Sequence, residues 1–281
     1  MWMLLVLYYG LVKGARDVVK KLALNKSTVM EVLLFYTLLA FVLTIPEARN
    51  ISGMDIKFYP LIALKSFLIF IAWICSFKAI EKLPISLYGI LDLSRVLFAT
   101  FLAVIVLGEE FTVPQTVGLI FVCTGLLMLK YKSKKKVEND ENPEIKYVIA
   151  AFVSCILNAS SGLMDKILMK DLNSSQLQFW YMLFLLIYYI IYVVVTKTPV
   201  RMSVLKNGWI WLLAVLFFTA DKALFIANGY PESRITVMTL IKQSGCIITI
   251  CAGKFIFKEK HISYKLLCAG VVITGIIISV L

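Results

Sequence analysis

Four stretches of this chain set ionisable side chains inside otherwise apolar runs. Lys13, Arg16, Asp17 and Lys20 recur at i, i+3, i+4 and i+7, one stripe down a helix. Asp92 and Arg95 stand three residues apart in ILDLSRVLF, Asp221 is followed by Lys222 in FTADKALF, and Lys242 precedes Gln243 in TLIKQSG. The chemistry available to such groups is ionic recognition: Lys and Arg hold a carboxylate, and Asp holds an ammonium group or takes a proton. A charge at mid-bilayer depth costs about 2.5–3.5 kcal/mol on insertion scales, so each needs a partner, water or a ligand.

Each group also has a structural reading. Asp92 and Arg95 can neutralise each other at i, i+3. Lys20 and Lys21 fall near a helix end, where a lysine snorkels to the interface. Asp221 and Lys222 are adjacent and do not face each other, so at least one needs a partner elsewhere; Asp221, Phe225 and Asn228 share a face. Asn158, Ser161, Gly162 and Asp165 form a second polar stripe that matches the first, as two walls of a hydrated cavity would. Gly10 and Gly14, spaced GxxxG, permit close approach of another helix or a ligand. Among the many aromatics, Trp73 falls mid-run, with Phe77 and Phe225 at similar depth, and a cage of such rings would suit a quaternary ammonium group. Packing and interfacial anchoring are the commoner roles of membrane aromatics.

Enzymatic constellations are missing. The single histidine, His261, lies in a loop, and the sequence has neither HExxH nor a P-loop. The six cysteines all fall in apolar runs without metal-site spacing. No cofactor and no metal are expected.

The elements that must position these residues are membrane helices. Of 281 residues, 60% are hydrophobic, with a mean hydropathy of +0.88. Apolar runs of about 20 residues, enough for a hydrocarbon core near 30 Å, recur throughout. They predict ten spans: 2–21, 29–46, 58–80, 84–107, 113–131, 146–168, 174–196, 208–230, 233–256 and 262–281. Residues 1–14 lack the features of a cleaved leader and read as part of the first span. The net charge of +12 sits between runs, which argues for cytoplasmic retention rather than nucleic-acid binding. Loops after the odd-numbered spans hold 17 Lys and Arg against 5 in the others. The expectation is a multi-pass protein of the cell membrane, both termini extracytoplasmic, contacting the lipid bilayer as monomer or homodimer.

The chain also repeats itself. At an offset of 150, residues 86–98 lie over 236–248, pairing Asp92 with Lys242 and Ser94 with Ser244; Thr124-Gly125 then falls on Thr274-Gly275. At an offset of 145, Lys21 falls on Lys166 and Phe35-Tyr36 on Trp180-Tyr181. The implied domains are a first five-helix repeat (1–131), a charged cytoplasmic linker (132–145) and a second repeat (146–281). Five is odd, so the second repeat enters the membrane from the opposite side, as in many secondary transporters. In that arrangement Asp92 and Lys242 could meet across the interface of the halves.

The paired halves, the segments GEEFTVPQTVGLIFVCTG (108–125) and KEKHISYKLLCAGVVITG (258–275), and SFKAIEKLPIS (76–86) resemble the drug/metabolite transporter superfamily in its EamA-type ten-helix form. Cys268 stands where the first half has Gly118, and Lys258 where it has Gly108. The resemblance implies an all-α integral membrane carrier of small metabolites, with its cavity between the halves. The expected activity is secondary transport of a small polar or zwitterionic, amino-acid-like metabolite. Expected substrate contacts are Lys13, Arg16, Asp17, Trp73, Phe77, Asp92, Arg95, Asn158, Asp221, Phe225, Lys242 and Gln243. A proton could be carried on Asp17, Asp92 or Asp221. The alternatives are an importer of choline-like compounds through an aromatic cage and a non-transporting scaffold.

Overall fold

A computed structural model describes residues 1–108, 112–135, 145–259 and 262–278. Most of the charged linker, Glu109, Lys260 and His261 lie outside these residues. Among the described residues all regular structure is helical: α1 (Trp2–Leu24), α2 (Val29–Thr44), α3 (Phe58–Lys82), α4 (Ile85–Asp92), α5 (Arg95–Leu107), α6 (Val113–Lys135), α7 (Ile145–Leu168), α8 (Ser174–Thr196), α9 (Gly208–Asn228), α10 (Ile235–Lys242), α11 (Gly245–Phe255) and α12 (Ile262–Ile278). Six segments of the described residues are long and apolar enough to cross a bilayer: 29–50, 58–82, 85–107, 145–168, 174–196 and 208–228.

Local sequence explains several of the boundaries. At α2, Thr28 accepts from the Glu31 amide while Glu31 accepts from the Thr28 amide. Asn173 and Gln176 make the same reciprocal box at α8, 145 residues later. Each box satisfies two amides that a helix start would leave without partners. Gly108 closes α5 in the left-handed conformation (φ 66°), where a side chain would strain the backbone.

Two expected spans are not continuous helices. The span 84–107 divides at Leu93-Ser94, and the span 233–256 divides at Gln243-Ser244. In the first, the Ser94, Val96 and Leu97 amides donate to the carbonyls three residues back, Leu91, Leu93 and Ser94. In the second, Ser244, Cys246 and Ile247 do the same to Ile241, Gln243 and Ser244. The tightening is 3₁₀-like and falls at the same register in both segments, 150 residues apart. Such a turn frees carbonyls of the preceding turn and re-aims the side chains on either side.

The helices pack in matched pairs. α1 lies on α9 as α7 lies on α3, and α1 lies on α11 as α7 lies on α5; α4 packs on α11 and α10 on α5, while α6 packs on α12. Atomic contacts repeat as well. The Cys155 thiol on α7 rests on the Leu91 and Asp92 carbonyls, at 3.8 and 4.0 Å. On α1, Gly10 abuts the equivalent carbonyls, Ile241 and Lys242. One turn on, Gly14 faces Gly245 so closely that a Cβ on either would fall on the other's backbone. The GxxxG pair therefore serves a helix crossing rather than a ligand.

The apolar core lies chiefly between α2, α3, α8 and α9, where Tyr36, Trp73, Tyr181 and Phe217 meet at 5.6–6.3 Å or closer. Loops gather at the two ends. At one end Lys21 donates to the Ile80 carbonyl (3.2 Å) and to that of Leu83, and Lys26 lines a pocket with Lys206. At the other, Asn173 and Gln176 donate to the Asn50 and Ser52 carbonyls, and Lys166 caps the carbonyls of Asn228 and Tyr230.

Candidate functional site

A charged cavity lies among α1, α3, α4, α5, α7, α8, α9 and α10. Helix α1 supplies Tyr9, Lys13, Arg16, Asp17 and Lys20 from one face, which follows from the spacing of its polar stripe. The opposite wall carries Asn158, Ser161, Gly162 and Asp165 of α7. Lys65 and Trp73 enter from α3, Arg95 from the start of α5, Asp221, Phe225 and Asn228 from α9, and Lys242 from the end of α10. The space is narrow, about 80 Å³ for the centre of a water-sized sphere. That admits a few waters.

Buried ion pairs organise the walls. Asp92 is 4% exposed and accepts from Lys13 of α1 on one oxygen and, at 2.7 Å, from Arg95 on the other. Arg16 donates to Asp221 at 3.0 Å, joining α1 to α9. Lys65 reaches Asp165 at 3.1 Å, joining α3 to α7. Lys20 donates to Asp17 at 2.8 Å within α1. Lys242 lacks a carboxylate partner among the described residues; its ammonium stands 5.6 Å from the Tyr9 ring centre.

The aromatic rings carry the protein's own cations. Arg16 lies 4.8 Å from the Phe217 centroid and 5.4 Å from that of Tyr9, and Lys65 lies 3.6 Å from Tyr181 and 5.5 Å from Phe225. Lys20 stands 5.2 Å from Phe77. Cation–π contact is attractive in a desolvated setting, so these faces help hold the charges in place.

Nine of the twelve expected contact residues line the cavity: Lys13, Arg16, Asp17, Trp73, Arg95, Asn158, Asp221, Phe225 and Lys242. Asp92, Phe77 and Gln243 do not. Asp92 sits behind Lys13 and Arg95 as their shared acceptor, because the α4–α5 turn points it at α1. Phe77 is fully buried in the core. Gln243 lies in the α10–α11 turn, 3% exposed, with Nε2 lacking a hydrogen bond. Of the two readings of Asp92, the pair with Arg95 forms and Lys13 of α1 joins it, while no contact with Lys242 is found among the described residues. Lys20, expected at the interface, lines the cavity instead.

Sequence reasoning missed Lys65, and it placed Asp165 on a polar stripe without counting it among the expected substrate contacts. Both are buried, Lys65 at 2% exposure. The signal was present: Lys65 stands eight residues into an apolar run, the situation that singled out Asp92.

Fold and cavity together define a multi-pass helical membrane protein built around a charged internal chamber. The chain belongs to the EamA-like transporter family, whose model matches residues 1–131 and 145–281, in two halves. That family places it among membrane transporters of small molecules, within the drug/metabolite transporter superfamily. The fold resembles that of a solved crystal structure of a protein with 10% sequence identity, at a TM-score of 0.70 over 99% of this chain and 95% of the other. A comparison with curated proteins finds no match.

Proposed function

We propose that this protein is a secondary carrier of the cell membrane that moves a small, carboxylate-bearing polar metabolite, amino-acid-like in size, by alternating access. The reading takes the chain as ten spans in two five-helix repeats of opposite orientation, with both termini extracytoplasmic. The matched helix pairs and the two turns 150 residues apart support the repeat. Interrupted helices beside a central chamber are where such carriers bind substrate.

One observation carries the choice of substrate. The cavity and its immediate support hold six cations, Lys13, Arg16, Lys20, Lys65, Arg95 and Lys242, against four carboxylates, Asp17, Asp92, Asp165 and Asp221. Asp92 serves two cations, and Lys242 makes no ion pair among the described residues. Arg16 Nε, Arg95 Nε and Asn228 Nδ2 are buried donors without acceptors among the described residues. An excess of positive charge and unused donors suits a substrate carboxylate held by Lys242. The amino group of a zwitterion would turn to Asp17 or Asp221, either of which could also carry a coupling proton.

A choline-like cation fits less well, because Arg16 and Lys65 already cover the aromatic faces. A scaffold role would leave Lys242 without a purpose. Purified protein in liposomes, given radiolabelled amino acids, dicarboxylates and quaternary ammonium compounds, should show gradient-dependent flux of a carboxylate-bearing compound. Flux of ammonium compounds alone, or of nothing in the panel, would overturn the reading.

A further inference from the structure

A second pocket opens at the end of the molecule where α1 and α9 meet, remote from the central cavity. Its volume is about 590 Å³, within the range of ligand-sized pockets, roughly 300–1,000 Å³. Three cations line it: Lys26 from the turn after α1, and Arg201 and Lys206 from the segment before α9. Arg201 is committed to Glu31, with contacts of 2.8 and 3.1 Å, and that pairing raises its already high pKa. Lys26 and Lys206 are exposed and have no carboxylate partner among the described residues. Asn207 is held by its side chain, donating to the Ala23 carbonyl (3.2 Å) and Ser27 (3.3 Å) while accepting from the Trp209 amide (3.2 Å). The floor of the pocket is thus built, and the first turn of α9 opens beside it.

Its surroundings point to the bilayer surface. Trp209 and Leu212 on the pocket wall are 40% and 41% exposed, and Trp211 beside them is 51% exposed. Exposed tryptophans at the end of a membrane helix sit at headgroup depth. The cations are also not demanded by the fold. Asp171 stands where Lys26 would recur at the 145 offset, and Ile56 where Lys206 would recur at the 150 offset, at the corresponding entry to α3.

We propose that this pocket binds the phosphate headgroup of one anionic phospholipid, with Lys26 and Lys206 as its contacts and Trp209 against the glycerol and upper acyl chain. A basic pocket between membrane helices matches the chemistry of anionic lipid recognition, in which each nearby Lys or Arg adds to the attraction. The site is independent of the carrier reading.

The test is native mass spectrometry of the detergent-purified protein titrated with phosphatidylglycerol, phosphatidylcholine of the same chains, or inorganic phosphate. One retained phosphatidylglycerol, with phosphatidylcholine at least tenfold weaker, is the expected result. The K26A/K206A variant, altered only at exposed side chains, should lose that preference while keeping its melting temperature. Equal retention of both lipids, or an unchanged preference in the variant, would overturn the proposal. So would displacement of the bound lipid by millimolar inorganic phosphate, which would make the site one for a soluble anion.

Discussion

Lys13 and Asp92 form an ion pair that bolts α1 to the end of α4, and Arg95, at the start of α5, shares the same carboxylate. One acid therefore holds two cations at the turn where an expected single span divides. Without Asp92 the two positive groups would face each other in a buried setting. Breaking a buried pair by removing one partner costs about 3–5 kcal/mol. Asp92→Asn should thus lower the melting temperature sharply, and adding Lys13→Met should recover much of the loss. A melting curve unchanged by Asp92→Asn would show that the pair contributes nothing to folding.

Lys242 makes the opposite prediction. With no carboxylate partner among the described residues, its charge is a cost to folding rather than a support. Lys242→Met should leave thermal stability equal or higher and reduce substrate flux at least tenfold. Liposome flux and melting measured on the same preparation separate the two effects. Wild-type flux in Lys242→Met would remove it from the site.

The Gly14–Gly245 crossing should tolerate no side chain. A Cβ at Gly14 meets the backbone of Gly245, which cannot rotate away. Gly14→Val should destabilise by at least the roughly 1–3 kcal/mol of overpacking, with α1 displaced from α11. Gly162 is the control: it faces open space, so Gly162→Ala should be neutral or stabilise by about 0.5–1 kcal/mol in a helix. Melting temperatures of the two variants check the contrast.

Glu259 joins loop and helix across the halves. It accepts from the Ile85 amide at 2.6 Å, from Ser86 and from Lys265 at 3.0 Å, capping α4 from outside its own segment. Glu259→Ala removes the acceptor of the Ile85 amide and the Ser86 hydroxyl, while Lys265 keeps Ser86 Oγ at 2.7 Å, a loss of about 1–3 kcal/mol. Hydrogen exchange at the first turn of α4 should accelerate, while the first turn of α2, capped by Glu31, stays unchanged. Equal acceleration at both would mark general unfolding rather than a local cap.

Much of the architecture was legible in the residues. Long apolar runs set the helices, because a chain in lipid must satisfy its backbone internally. The i, i+3, i+4, i+7 stripe placed Lys13, Arg16 and Asp17 on one face of α1, and the self-match aligned Ser94 with Ser244. The same repeat could have been read in the caps, T-x-x-E at Thr28 and N-x-x-Q at Asn173, which local hydrogen bonding dictates.

What residue types and spacing determined, then, was which side chains are costly in a membrane and which helical face they share. Spacing of i, i+3 already allowed Asp92 with Arg95 and Asp17 with Lys20; tertiary structure alone decided the pairs made between distant helices. Asp92 takes Lys13 because the fold brings the polar face of α1 beside the end of α4, and Lys65 finds Asp165 because α3 lies on α7. Local sequence carries helical period and cap chemistry, which act over a few residues. Ion-pair choice depends on the crossing of helices far apart in the chain, with partners 79 and 205 residues away for Lys13 and Arg16. Lys242 makes no ion pair among the described residues for the same reason: packing against α1 brings it to the Tyr9 ring.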